Sequence, residues 1–313
     1  MRVVVTGGAG FIGANLCRLL LATPEVSEVV VVDDFSSGLK ENVQDCSELK
    51  VVEGCILDLA LLCDVLANAQ AVVHLAARPS VPRSLADPLA THHVNATGTA
   101  NLLEAARRAE VAHVVVASSS SVYGANPVLP KHEDLAPAPL SPYAASKLAT
   151  EQYALAYAHS FGMKVLALRF FNVFGPLQLA DHAYAAIIPV FISSALAGRP
   201  LPVHGDGLQS RDFTYVSDLV EILKRAVVGQ VTAAGPINLA FGTRRTLLDV
   251  VAILEQILSR PLSRAHEPPR PGDVRHSQAD QSRLRALFPS LEPTPLDQGL
   301  RRTAEWFRGS SHH

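Results

Sequence analysis

Tyr143-Ala-Ala-Ser-Lys147 offers acid–base chemistry if its two ends share a helix. Residues four apart stand one turn above each other on the same helical face. Pro142 precedes the pair, and Ser146, Leu148, Ala149, Thr150, Glu151, Gln152 and Tyr153 continue a helix-forming run. A lysine ammonium held beside a tyrosine hydroxyl favours the phenolate. The spacing therefore predicts a phenol pKa lowered toward that of a working general base. The same spacing is common on surface helices, so the neighbouring motifs must carry the argument.

The elements that must position this pair begin at Arg2–Thr6, a short β-branched run. It breaks into Gly7-Gly8-Ala9-Gly10-Phe11-Ile12-Gly13 before an amphipathic stretch from Ala14 to Leu21. The order is strand, glycine turn, helix. The segment satisfies both Gly8-x-Gly10-x-x-Gly13 and Gly7-x-x-Gly10-x-x-Gly13, and it lets the backbone amides at Phe11 and Ile12 approach a pyrophosphate. The next strand, Glu28–Val32, ends in Asp33-Asp34, about twenty residues after the glycines as a dinucleotide fingerprint requires. A carboxylate there accepts the ribose hydroxyls and repels a 2′-phosphate. Phe35-Ser36-Ser37-Gly38-Leu39 supplies no arginine, so NAD is expected rather than NADP.

Leu49–Glu53 reads as a third strand, and Asp58 opens a helix at Leu59, as an N-cap or as a contact to adenine. Ala71–Ala77 is a buried strand whose end, Leu75-Ala76-Ala77, is expected to line the cofactor crevice, with His74 as a core histidine. A long helix is expected from Asn95 through Asn101 and Leu102 to Arg108. Val114–Ala117 is a strand leading into Ser118-Ser119-Ser120-Ser121-Val122-Tyr123-Gly124. Lys164–Leu168 is a further strand, ending Arg169-Phe170-Phe171-Asn172-Val173. Regular β-α alternation predicts a Rossmann-type α/β fold, a doubly wound parallel sheet with a smaller C-terminal substrate-binding lobe. The expected division is 1–172 with a returning segment near 213–240 for the NAD-binding domain. The second lobe takes 173–212 and 241–308, where prolines interrupt short elements.

The 313 residues are 48% hydrophobic and 18% charged with net charge −2, as in an ordinary globular protein. No basic excess points to nucleic acid or an anionic membrane, and no stretch is long and apolar enough to span a bilayer. Cys17, Cys46, Cys55 and Cys63 lack metal-ligand spacing and read as reduced thiols, so no metal is expected. With no signal peptide apparent, a cytoplasmic location is expected. Residues 309–313 read as a tag remnant.

Taken together, these motifs resemble the extended short-chain dehydrogenase/reductases, in their nucleotide-sugar epimerase and dehydratase branch. The resemblance runs from Arg2 to about Arg308 and rests on the order of its parts. These are TGGAGFIG at Thr6–Gly13, the Asp33-Asp34 pair, HLAA at His74–Ala77, SSSSVYG at Ser118–Gly124 and YAASK at Tyr143–Lys147. RFFNVFGP at Arg169–Pro176, HGDGLQSRDFTYVSD at His204–Asp218 and RPGDVR at Arg270–Arg275 follow. It implies catalysis by a serine, Tyr143 and Lys147. Alignment by the strand start favours Ser120 as that serine, whereas counting back from Tyr123 favours Ser119. It implies cofactor contacts at Asn95, Ser118, Phe170 and Val173 as well. Substrate contacts are implied at Ser121, Asn172, Ile187, Ile188, Val203 and His204, with Arg211, Arg270 and Asp273 at the diphosphate and ribose. The implied partner is a UDP-sugar. A homodimer is also implied, paired through helices containing Asn95–Arg108 and Tyr143–Tyr157, with Leu102, Leu103, Leu148 and Leu155 as apolar positions.

Departures from the family patterns narrow the reaction. Dehydratases and decarboxylases of the branch carry an acid directly before Val-Tyr-Gly, and such chemistry needs a second acid–base group. Here the position is Ser121. The expected activity is therefore 4-epimerisation of a UDP-sugar, with UDP-glucose and UDP-galactose the default pair. Hexuronate epimerases resemble FFTVYGP with a basic residue soon after, whereas this chain has Asn172, Leu177 and Leu179. The Ala185–Pro189 stretch resembles epimerases that accept several sugars, which keeps UDP-N-acetylglucosamine open beside UDP-glucuronate. A non-catalytic NAD-responsive protein on this fold would be expected to lack the tyrosine or the lysine.

Overall fold

The computed structural model describes residues 1–181, 185–268 and 274–310, so Arg270 and Asp273 lie outside the described residues. Two compact units divide the chain. The first comprises Met1–Asn126, Glu133–Phe170 and Val220–Asn238. Its frame is a seven-stranded sheet. In chain order the first six strands are β1 (Arg2–Thr6), β2 (Glu28–Asp33), β3 (Leu49–Glu53), β4 (Ala71–His74), β5 (His113–Ser119) and β6 (Val165–Phe170). Across the sheet the order is Ile237–Leu239, β6, β5, β4, β1, β2, β3, and every neighbouring pair from β6 to β3 is parallel.

Helices cover both faces, so the strands read as unbroken valine runs rather than alternating ones. Val3, Val4 and Val5 are all fully buried. One face packs Val4, Val30, Val72, Val114 and Val116 against Leu62, Leu66, Leu102 and Leu103. The strand order reverses between β1 and β4. In an open parallel sheet the crevice outside the strand ends at such a reversal is where a dinucleotide lies.

The helix expected to start at Asn95 begins differently. A π turn over His93–Thr97 feeds the α-helix Gly98–Arg108, and Asn95 sits inside the π turn. Leu102 and Leu103 are fully buried and face their own sheet, and the half-buried Leu155 packs against the same core.

The second unit comprises Pro127–His132, Phe171–Leu219 and Leu239–His313. Its strands are short and paired by twos. Val173–Phe174 lies parallel to Thr214–Tyr215, and Leu201–His204 parallel to Arg264–Glu267. Ser210–Arg211 runs antiparallel to Arg245–Thr246. The helices Ile187–Leu196, Leu247–Leu258, Ser282–Leu287 and Leu296–Ser310 also belong to it. Among the described residues no helix is long and apolar enough to cross a membrane, and no cluster of metal-ligating side chains forms.

Candidate active site

The β1 glycines divide by what surrounds them. A Cβ on Gly13 would stand 2.2 Å from the Gly7 carbonyl oxygen, and one on Gly7, at φ +72°, would stand 2.7 Å from the Ala76 nitrogen. These two glycines let the loop after β1 close on itself and on the loop after β4. A Cβ on Gly10 would meet only the Gly7 oxygen, at 3.3 Å. Gly10 leads into the helix Phe11–Leu21, whose N-terminus carries no side-chain cap, so its first amides face outward unpartnered by a side chain. That is the cradle a pyrophosphate requires.

Asp33 lies at the end of β2 beside this cradle. Its Oδ2 accepts from the Ala9 amide and its Oδ1 from the Phe35 amide, each at 2.9 Å. Burial raises its pKa, and those two amides offset only part of the rise. Gly38 is close enough that a Cβ there would sit 2.9 Å from the Asp33 Oδ1. Asp34 and Ser36 are exposed and close their own turn, the Asp34 Oδ1 accepting from the Ser36 amide at 2.9 Å. Ser37 is also exposed. Asp58 is the N-cap of Leu59–Leu66, its carboxylate accepting from the Leu61 amide at 3.0 Å.

The loop after β4 is pinned from two sides. Leu75 N donates to the Thr6 carbonyl at 3.0 Å, and Ala76 N lies 3.3 Å from the Thr6 hydroxyl. Asn95 is buried, and its side chain accepts from the Arg78 amide at 2.7 Å and donates to the Ser146 hydroxyl at 2.9 Å. It ties this loop to the helix Pro142–Phe161, a role as a peg that the cofactor-contact expectation missed. His74 bridges the Thr6 and Thr99 hydroxyls at 2.7 and 3.0 Å. Burial drops its pKa to about 3, so it is a neutral core histidine, as its setting in an apolar strand implied.

At the end of β5 the serine run and the Pro142–Phe161 helix meet. Ser141 caps that helix and Pro142 occupies its first turn. The Ser119 hydroxyl accepts from the Ser121 amide and hydroxyl at 3.2 and 2.9 Å, and it acts to lower the pKa of the Tyr143 phenol. Ser120 begins a single 3₁₀ turn, Ser120–Tyr123, one residue beyond the strand. Of the two candidate serines, Ser119 is the one whose hydroxyl acts on the Tyr143 phenol. Lys147 is buried and donates one of its three hydrogens to the Ala117 carbonyl at 2.8 Å. Burial lowers its pKa to about 8, which leaves it cationic at neutral pH. Ser118 is turned away, its hydroxyl donating to Glu151 at 2.9 Å.

The expectation of a lowered Tyr143 pKa is corrected in the free protein. Burial raises it, and only the Ser119 hydrogen bond acts in the opposite direction. The Lys147 charge does not offset desolvation of the phenolate. A further positive charge at the site would act to lower the Tyr143 pKa.

In the second unit Asn172, Ile187, Ile188, His204 and Arg211 line one cavity of about 190 Å³, and Val173 lines it with them. Val203 does not. It is fully buried, because successive strand residues face opposite ways and His204 takes the cavity side. Gln209, Phe213 and Leu247 also line it. They were not foreseen, since the pairing of Ser210–Arg211 with Arg245–Thr246 that gathers them is non-local. Gln209 donates to the His204 carbonyl at 2.7 Å and Asn172 to the Asp212 carbonyl at 3.1 Å, fixing both walls. His204 Nδ1 lies 3.2 Å from the Pro268 carbonyl oxygen. Arg211 gives the cavity a guanidinium suited to phosphate oxygens. Phe170 ends β6, half-buried.

Residues 3–240 match the model of the NAD dependent epimerase/dehydratase family. A UDP-glucose 4-epimerase of Mycolicibacterium smegmatis is 37% identical over 99% of this chain and 100% of its own length. The solved UDP-glucose 4-epimerase of Thermotoga maritima superposes with a TM-score of 0.94 at 32% identity, covering 100% of both chains. A UDP-N-acetylglucosamine 4-epimerase of Methanobrevibacter ruminantium superposes at 0.92 with 37% identity, covering 99% and 98%. The strand order, the glycine cradle and the tyrosine–lysine helix are thus parts of one inheritance, and the chain belongs to the NAD dependent epimerase/dehydratase family. NAD is the cofactor that family uses, and the residues present fit it: an uncapped helix end for the pyrophosphate and a carboxylate rather than an arginine after β2.

Proposed function

We propose that the protein is a UDP-sugar 4-epimerase, interconverting UDP-glucose and UDP-galactose. The observation that carries this reading is the Ser119 hydroxyl acting on the Tyr143 phenol, one helical turn from cationic Lys147, where no carboxylate precedes Val122-Tyr123. The first unit serves as the NAD-binding domain. Gly10, Phe11, Ile12 and Gly13 hold the pyrophosphate, and Asp33 holds the adenosine ribose. The second unit serves the UDP-sugar, with Arg211 and Asn172 on the diphosphate and Ile187, Ile188 and His204 around the base.

Ser119 orients the sugar O4, and Tyr143 takes the O4 proton as C4 becomes a carbonyl. Lys147 holds the nicotinamide ribose, and its charge favours the phenolate. Bound NAD, held by the Gly10–Gly13 loop, Asp33 and Lys147, would supply the redox chemistry, the two-electron oxidation of C4 and its reversal from the other face of the sugar ring. Tyr143 then gives the proton back to O4, so atoms and electrons balance within each cycle. Loss of water from C5 and C6 needs a second acid–base group beside Tyr143, and Ser121 is a poor one.

A second substrate reading has its own support. The relative that acts on UDP-N-acetylglucosamine is as similar in sequence as the one that acts on UDP-glucose. Incubation with UDP-glucose, UDP-N-acetylglucosamine and UDP-glucuronate, with products resolved by chromatography, decides between them. UDP-galactose from UDP-glucose at the highest kcat/KM supports the proposal. A preference for either other sugar replaces it.

A further inference from the structure

The helix Pro142–Phe161 buries polar residues where a packing helix is ordinarily apolar: Ser146, Lys147, Thr150 and Glu151. Glu151 is 0% exposed and Arg169, on β6, is 2% exposed. Arg169 grips it bidentately, Nε donating to Oε2 at 2.8 Å and Nη2 to Oε1 at 2.7 Å. The same Oε2 accepts from the Ser118 hydroxyl at 2.9 Å. The guanidinium lies 4.7 Å over the Tyr123 ring, and the Tyr123 hydroxyl donates to Asn238 Oδ1 at 2.7 Å.

A buried ion pair is a weak device for stability, because desolvating both charges offsets most of their attraction. An apolar pair of equal volume often holds a fold as well or better. What the pair adds is fixed direction. Glu151 lies on the same helical face as Tyr143 and Lys147, at successive four-residue steps. Ser118 directly precedes Ser119 in the chain, and Tyr123 ends the turn that Ser120 begins. One carboxylate and one guanidinium therefore grip both pieces of backbone that carry the reacting side chains.

We propose that Glu151 and Arg169, linked to β5 by Ser118, are positioning residues that hold the Ser119 hydroxyl in register against the Tyr143 phenol. The inference rests on the roles given to Ser119, Tyr143 and Lys147 above. Apolar packing would keep helix on sheet, yet allow the small slides to which proton transfer and hydride transfer are most sensitive.

Two variants separate positioning from packing. Ser118→Ala cuts the link to β5 and leaves the ion pair; Glu151→Leu with Arg169→Met replaces the pair by apolar volume. Each should lower kcat about tenfold or more while KM for the UDP-sugar stays within about twofold. The decisive readout needs no turnover. In free protein labelled with ¹³C-tyrosine, the Tyr143 resonance, assigned by its loss in Tyr143→Phe, should titrate at higher pH in both variants than in wild type. A loosened Ser119 hydrogen bond no longer pulls that phenol down. An unmoved Tyr143 titration in Ser118→Ala overturns the proposal whatever the rates do, and that variant decides alone if the double variant does not fold. A moved titration in a protein that turns over no UDP-sugar keeps the clamp and removes the reaction assigned to it.

Discussion

Tyr143 is asked to act as a base from a setting that makes its phenolate harder to form. Tyr143→Phe keeps the ring and its packing and removes the proton acceptor. Single-turnover rates should fall about 10²–10⁴-fold, with UDP-sugar and NAD affinities within about twofold of wild type. A second outcome follows from the raised phenol pKa. The missing positive charge is expected from the bound nicotinamide, so the Tyr143 phenol should titrate at lower pH with NAD than without. Equal titrations would remove the electrostatic part of the account. Lys147 adds a pH dependence of known sign. Its pKa is about 8 in the folded chain against an ordinary 10.5, so between those values the unfolded chain holds a proton that the folded chain has released. Stability contributed by this residue therefore rises with pH across that window, as the cost of burying the charge is relieved. Denaturant titrations of wild type and Lys147→Met at both ends should give a stability difference that moves in favour of wild type as pH rises.

Among the elements, the glycine loop predicts two distinct failures. Gly13→Ala forces a Cβ against backbone at 2.2 and 2.6 Å and should destabilise the fold by roughly 1–3 kcal/mol or more, read as a lower Tm. Gly10→Ala meets one carbonyl oxygen at 3.3 Å and should fold with a near-normal Tm yet retain less NAD, because its methyl stands where the pyrophosphate approaches. Finding both variants equally unstable would dissolve the distinction between a glycine of the fold and a glycine of the ligand. This first half was legible in the sequence because its signals are local: β-branched runs, glycines at fixed offsets, an acid at the next strand end. Ser119 and Ser120 could not be separated that way. β5 ends between them, and one residue more or less of strand reverses which hydroxyl faces Tyr143. Glu151 and Arg169 each looked like an ordinary element residue, since only the sheet brings them together. Gln209, Phe213 and Leu247 were hidden likewise by two-residue strands whose partners lie far along the chain.

For the whole molecule, self-association is expected through the outer side of the helix Pro142–Phe161. Leu102 and Leu103 are spent on the core and Leu155 packs against it, while Tyr153 and Phe161 are 45% and 54% exposed. Light scattering of wild type should give a homodimer, and Tyr153→Lys with Phe161→Lys should shift it to monomer without loss of the NAD site. A monomeric wild type across concentrations contradicts this. The reaction itself is tested most directly by following the hydrogen at C4. UDP-glucose carrying deuterium at C4 is incubated with the protein in ordinary water, and the product is read by mass and NMR. UDP-galactose should keep the deuterium on C4, because the hydride leaves and returns within one site and only the O4 proton exchanges. A product lighter by one water, or UDP-galactose whose C4 label has been replaced by solvent hydrogen, would contradict it.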